Sequence, residues 1–364
     1  MGKPLIAVVL GTRPEIIKLF PVISELKRRK RNYILIHTGQ HYSIRMDTIF
    51  FADLNMDEPD ILLGVGPGKQ GEQTGKMLIR IEKAFLEAKP VMVLVEGDTN
   101  SVLAAALAAS KMGIRIGHIE AGLRSYCREM PEEINRVLTD HLSDHLFAPT
   151  GRARQNLLAE GIPASRISVT GNTIVDMIKE HAPGAEKNTL VLQRLHLSPN
   201  HYFLLTLHRK ENVDHAEKLK EIFRAIKHLC RDFPVILPIH PRTAKRLREY
   251  DLLERMKRIP HLRIIQPLGY LDFLLLLKCA RLVLTDSGGI QEEACILKVP
   301  CVTLRENTER PETLKSGSNV LAGWHRKPIL AAVARMLKKR RTWKQPFGNG
   351  TAGKKILDTI TKIL

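Results

Sequence analysis

The stretch TDSGGIQEEA, residues 285–294, joins a strand-like run, RLVLTDS, to a helix-like run, IQEEACIL, across two adjacent glycines. Helix N-termini carry unpaired N–H groups that attract anions, and glycine lets a ligand approach the backbone closely. Ser287, Gly288 and Gly289 are therefore a candidate phosphate cradle. A glutamate one turn later would repel phosphate but accept hydrogen bonds from a ribose diol. Glu292 and Glu293 behind such a cradle point to a nucleotide, with a ligand-free strand–helix turn as the alternative.

Other residues could serve the same ligand. In GTRPEIIK, residues 11–18, Gly11 permits a turn and Pro14 suits the first turn of a helix. Arg13 and Lys18 then lie near a helix N-terminal end, where they could meet a diphosphate. Asp98 ends a strand-like run in EGDTNS, Glu120 ends another in HIEAGLRS, and Glu132 and Glu133 begin a helical run in PEEINR. Crowded carboxylates drive their pKa values apart, as proton transfer requires. Helix capping by Asp98 or Thr99, and dipole stabilisation by Glu132 and Glu133, would place the same residues there. Spacing alone leaves both readings open. TLHRKEN offers His208 and Arg209, IHPRT offers His240 and Arg242, and NTERPE offers Arg310 as anion ligands.

Three patterns are set aside. GPGKQG, residues 66–71, has the GxGxxG spacing but lies away from the first strand–helix turn and contains a proline. GEQTGK, residues 71–76, is one residue short of a P-loop. His141 and His145 have the i,i+4 spacing of a zinc pair, but neither the glutamate of HExxH nor a third ligand accompanies them. No metal or cofactor is expected.

These residues need a frame. The 364 residues suffice for roughly two domains. Apolar Val/Ile/Leu runs at 5–10, 33–37, 91–96, 114–120 and 145–149 alternate with helical patterns at 14–29, 71–88, 100–112, 131–143 and 151–160. The alternation restarts with runs at 202–208, 235–240, 262–267, 281–286 and 299–305. Strands without polar alternation imply a parallel sheet covered on both faces. Two doubly wound α/β domains are expected, divided near EHAPGAEKNT (180–189), with the polar motifs at strand carboxyl ends and a site in the cleft between them.

The net charge of +19 is consistent with acidic partners, yet much of it sits in KRRKR (27–31) and KKRR (338–341), each following a helical pattern. Aromatics, at 5%, do not interleave with these runs, which argues against a single-strand nucleic-acid platform. Five scattered cysteines without CxxC suggest reduced, buried thiols in a cytoplasmic protein. MGKPLIAVVLGTRPE reads as a first strand rather than a signal peptide, and no 18-residue apolar span predicts a membrane partner.

With GTRPEIIK, TGQH, GDTNS, HIEAGLRS, PEEINR, GNTIVD, TLHRKEN, TDSGGIQEEA and TERPE in this order, the chain resembles the non-hydrolysing UDP-N-acetylglucosamine 2-epimerases nearly end to end. The resemblance implies two Rossmann-like domains in the glycosyltransferase-B arrangement. The first would span 1–180, rejoined by a C-terminal helix at 352–364, and the second, UDP-binding domain 181–351. It implies C2 inversion of UDP-N-acetylglucosamine through 2-acetamidoglucal and bound UDP, without NAD, supplying sugars for glycan synthesis, and a homodimer. Carried over motif by motif, Arg13, Lys18 and His208 would hold the diphosphate. Ser287, Gly288 and Gly289 would contact phosphate and Glu293 the ribose. Phe273 and the Leu268 backbone would flank the uracil, and Arg310 would complete the pocket. Asp98, Glu120 and Glu132 would be the catalytic carboxylates, with His208 counted beside them. Some bacterial members bind a second UDP-N-acetylglucosamine as activator through residues after QH and an arginine near QT. Here QHYS and GEQT lack that arginine and place Ser43 and Glu72 nearby.

Overall fold

The computed structural model describes residues 4–40 and 50–364. It divides into two compact units, residues 1–179 with 347–364, and residues 180–346. Each is built on one sheet whose recorded strand pairs are all parallel.

In the first unit the strands are β1 (Ile6–Leu10), β2 (Tyr33–His37), β3 (Ile61–Leu62), β4 (Met92–Glu96), β5 (Arg115–Ile119), β6 (His145–Ala148) and β7 (Ile167–Val169), in the order β3-β2-β1-β4-β5-β6-β7. Every residue of β1 and β4 is buried, as the unbroken apolar runs require of central strands. Met77, Ile81 and Phe85 of the Gln70–Ala88 helix and the alanine-rich Asn100–Lys111 helix pack on Ala7, Val9, Val93 and Val95. Strand order reverses between β1 and β4, so the loops beyond Leu10 and Glu96 open at a topological switch point. Gly11 through Lys18 and Gly97–Asp98 lie there.

The second unit repeats the device with β8 (Phe203–Thr206), β9 (Val235–Pro238), β10 (Leu262–Ile265), β11 (Leu282–Thr285), β12 (Cys301–Thr303) and β13 (Asn319–Leu321), in the order β10-β9-β8-β11-β12-β13. Its switch point falls between β8 and β11, whose ends lead into His208 and Ser287. The two-sheet α/β class expected from the alternation is the class found.

Three strands escape the sequence pattern: β3, β7 and β13 are two or three residues long, too short to show a period. The EHAPGAEKNT segment, at whose start the two units divide, is helical up to Asn188: it continues a helix, Thr173–Asn188, that contains Pro183. The Ala352–Ile363 helix packs on the Arg13–Arg28 helix through buried Ile356, Leu357 and Ile360. A side chain at Gly353 would meet the Pro21 carbonyl at 2.7 Å. Of the KRRKR run, Arg28 and Arg29 pair with Glu25, and Arg29 also reaches Asp358 at 2.8 Å. All five cysteines are free, but only Cys230, Cys295 and Cys301 are buried; Cys127 and Cys279 are partly exposed, which corrects the expectation for those two. Among the described residues, no helix is long and apolar enough to cross a membrane.

Candidate active site

The Arg13–Arg28 helix starts at the carboxyl end of β1, and its Glu15 turns back to accept from the Gly11 and Thr12 amides at 2.6 and 2.8 Å. The Thr99 hydroxyl also donates to Glu15. Burial pushes the Glu15 carboxyl up to about 7, against the lowering effect of these donors. One turn on, Lys18 is buried against two carboxylates. It contacts Glu120 directly and lies 3.4 Å from Glu96, while Asn172 donates to the same Glu120 oxygen at 3.1 Å. Burial raises the Glu96 carboxyl well above its ordinary value. Lys18 opposes the shift, and the charges of Glu120, Glu15 and Asp98 add to it. Arg13 sits over the Phe50 ring at 5.3 Å.

Asp98 is not the cap of the following helix. Thr99 is, with its hydroxyl accepting from the Val102 amide. The Asp98 carboxylate is partly exposed and pairs with Arg136, and its carbonyl accepts from Asn135 at 3.0 Å. Arg136 is also 2.6 Å from Glu133. Glu133 itself is buried and accepts from the Ser125 and Tyr126 amides at 3.0 and 2.9 Å, so it fastens a loop. Glu132, its neighbour in the first turn, is only partly buried. Of the sequence candidates in this unit, Lys18 and Glu120 are in direct contact, and Asp98 belongs to the same group of interacting charges.

In the second unit, Asp286 organises the switch point. Fully buried, it accepts from the His208 and Arg209 amides at 3.0–3.1 Å, and the His208 ring lies 3.3 Å from it. The His208 and His240 rings are 5.6 Å apart. Arg242 is turned to Asp214 instead. Ser287 is the N-cap of the Gly288–Ile296 helix. The two glycines differ. A side chain on Gly288 would meet the Glu309 carboxylate at 2.2 Å, whereas one on Gly289 would find nothing nearer than Ser287 Oγ at 4.0 Å. Gly288 thus makes room for protein, and Gly289 leaves open space at the helix start.

Glu309 is held by Arg305 at 2.9 Å. Arg310 pairs with the buried Glu292 at 2.6 Å, so the first glutamate of QEE anchors an arginine. Glu293 is largely buried, and its charge adds to burial in raising the Tyr270 hydroxyl well above its ordinary value. Leu268 and Phe273 pack on one apolar cluster with Tyr202, Leu276 and Ile290.

Glu15, Glu96, Arg136, Asn172, Asp286 and Glu309 stand beside the candidates and were not singled out in the sequence. Glu96 and Asp286 had a signal, a carboxylate at the end of an otherwise apolar strand run. The others depend on tertiary approach. Ser43 lies outside the described residues, and Glu72 pairs with Lys76 on an exposed helix face at 2.6 Å. Among the described residues, no group of three or more His, Cys, Asp or Glu side chains is arranged to hold a metal.

Twin parallel sheets, each with charged side chains gathered at its switch point, define a two-unit, doubly wound α/β protein. The family model described as UDP-N-acetylglucosamine 2-epimerase matches residues 24–361. The chain is 54% identical over 360 residues to the UDP-N-acetylglucosamine 2-epimerase of Methanocaldococcus jannaschii, covering 98% of both chains. It is 41% identical to the UDP-2,3-diacetamido-2,3-dideoxy-D-glucuronate 2-epimerase of Pseudomonas aeruginosa, covering 98% of this chain and 99% of that one. A crystal structure of M. jannaschii UDP-GlcNAc 2-epimerase in complex with UDP-GlcNAc and UDP matches with a TM-score of 0.95, covering 98% and 99% of the two chains. The chain belongs to the UDP-N-acetylglucosamine 2-epimerase family.

Proposed function

We propose that this protein interconverts UDP-N-acetylglucosamine and UDP-N-acetylmannosamine by inversion at C2. The observation that carries the reading is the group of carboxylates at the ends of β4 and β5, with buried Glu96 and Glu120 against Lys18 and the partly exposed Asp98 beside them on Arg136. The C2 hydrogen is not beside a carbonyl, so it cannot be removed directly. Breaking the C1–O bond, with the electron pair leaving on UDP, builds positive charge at C1 and acidifies C2–H. A carboxylate then takes the proton and a C1–C2 double bond forms, giving 2-acetamidoglucal. Return of a proton to the opposite face and re-addition of UDP to C1 complete the inversion. Such a route needs neighbouring acid and base forms of carboxyl groups. Burial keeps Glu96 toward its acid form, and Asp98 lies against the Arg136 guanidinium. Ser287, Gly289 and His208 are the proposed diphosphate contacts, Arg13 a further one, Glu293 the ribose acceptor, and Phe273 with Leu268 the uracil wall. Asp98, Glu120 and Glu132 are the proposed acid–base residues.

The 41% identical relative named for a diacetamido-glucuronate supports a second substrate reading. One experiment separates them: each UDP-sugar is incubated with the protein in D₂O and products are followed by NMR. UDP-N-acetylmannosamine carrying deuterium at C2 is expected from UDP-N-acetylglucosamine. Turnover of the uronate alone, or product that retains protium after one turnover, overturns the proposal.

Assembly as a homodimer is proposed on apolar exposure. Ile79 and Leu86 on one helix, and Ile134 and Leu138 on another, stay exposed on either side of the Asn100–Lys111 helix against which both pack. The set of free cysteines favours the cytoplasm. The product sugar is expected to feed glycan synthesis.

A further inference from the structure

Beneath the carboxylates lies a charged group that proton transfer does not use. His118, on β5, and Asp140, on the Pro131–Leu142 helix, are both completely enclosed. His118 Nδ1 is 2.7 Å from Asp140 Oδ1, and His118 Nε2 is 2.8 Å from the Gly97 carbonyl. The ring thus bridges the Asp140 carboxylate and the Gly97 carbonyl, one at each nitrogen. The other Asp140 oxygen takes the Arg124 guanidinium at 2.7 Å and the Gly122 amide at 3.1 Å. Burial alone would raise the Asp140 carboxyl, but His118 and Arg124 together hold it below the usual range.

Each partner leads to a turn that bears a carboxylate. Gly97 precedes Asp98 and has φ +86°, with its amide donating to Ile119 and its carbonyl taken by His118. Glu120 has φ +67°, an unusual conformation for a residue with a side chain. Gly122, two residues on, has φ +84° and no room for a side chain, whose first atom would meet the Ala153 carbonyl at 2.4 Å. Strained backbone of this kind persists only where surrounding contacts over-determine it.

We infer that His118 and Asp140 are positioning residues that set the spacing between the Asp98 and Glu120 turns, one through the Gly97 carbonyl and the other through the Gly122 amide. The inference rests on Asp98 and Glu120 acting in the proposed epimerisation. Elimination and re-addition require both carboxylates to be in place within one glycal lifetime. A loosened spacing therefore lowers turnover and lets glycal and UDP escape, while the second unit still binds UDP.

The test compares His118→Asn with His118→Gln. The shorter amide can face Asp140 but loses the donor to Gly97. The longer amide can restore that donor. Wild-type turnover is read first and tests the reaction itself; the variants test the positioning. His118→Asn is expected to lose roughly 30- to 100-fold in kcat, as misplacement by about an ångström does. UDP affinity should stay within about twofold, and the ratio of released 2-acetamidoglucal to epimer should rise several-fold by NMR. His118→Gln should recover most of the turnover and return the ratio toward wild type. Equal losses in both variants, an unchanged ratio, or a loss of UDP affinity matching the loss of kcat would overturn the inference. If His118→Asn does not fold, Arg124→Lys loosens the same Asp140 oxygen while keeping the charge; it should raise glycal release at retained UDP affinity, and an unchanged release overturns the inference.

Discussion

The two glycines of the SGG turn should fail in opposite ways when each is replaced by alanine. At Gly288 the new methyl would stand 2.2 Å from Glu309 Oε1, so the carboxylate must retreat by more than an ångström. Glu309 is not free to do so, because Arg305 grips it at 2.9 Å inside the unit. Arg305 keeps a second partner in Glu211 at 2.9 Å, which limits the damage to the overpacking range of about 1–3 kcal/mol rather than the cost of an abandoned buried charge. Alanine is better than glycine in a helix by up to about 1 kcal/mol, which offsets part of it. The net loss corresponds to a fall of roughly 2–8 °C in Tm for a unit of this size. At Gly289 the methyl meets nothing within ordinary contact, so the helix gains and Tm should hold or rise slightly. The methyl would occupy the space proposed above for phosphate, however, and UDP affinity should fall about tenfold, or about 1.4 kcal/mol. Thermal unfolding and calorimetric titration with UDP on both variants give the answer. A stable Gly288→Ala, or a Gly289→Ala that binds UDP as wild type does, would refute the division of labour.

Asp98→Asn and Glu132→Gln should each cost roughly 10²–10⁴ in kcat while sparing UDP binding, measured by steady-state turnover and titration. Glu15, pushed up to about 7 from an ordinary 4.5, binds its proton more tightly folded than unfolded. Its stabilising contribution is therefore present below about pH 4.5 and lost as pH rises through about 7. Urea unfolding across that window should show wild type losing about 2–3 kcal/mol relative to Glu15→Gln, and parallel curves would contradict it. Leu138→Arg should turn a dimer into monomers in sedimentation, at unchanged fold by circular dichroism. Turnover should survive excess chelator without added NAD, as an NMR time course would show.

Periodicity made the layered architecture legible because central parallel strands must be apolar throughout, as β1 and β4 are. The same rule hid β3, β7 and β13, which are too short to repeat. Candidate residues were legible where a polar residue ends an apolar run or follows a glycine turn. Roles were less so. Asp98 and Thr99 are both good helix caps by type, and only the approach of Arg136 from another helix separates them. Glu292 and Glu293 are identical and adjacent in sequence, yet one anchors Arg310 and the other lies beside Tyr270. His118 gave no signal, since a histidine in an apolar strand looks like any core residue until its partners at Gly97 and Asp140 are known.

The path of the chain through its two units bears on how the protein is made. The Ala352–Ile363 helix belongs with the first unit, yet it is translated only after all of residues 180–346. It covers the Arg13–Arg28 helix, which carries Glu15 and Lys18, and is fixed by the Asp176 carboxylate accepting from the Ala352 and Gly353 amides at 3.1 and 2.9 Å. On the ribosome, the second unit is a continuous stretch that can fold as it emerges, whereas the first must wait with a bare apolar flank. A stalled or prematurely stopped chain would leave the face of this helix at Pro21, against which Gly353 packs, uncovered, a surface that invites chaperones and proteases. The arrangement makes the setting of Glu15 and Lys18 one of the last features completed during synthesis.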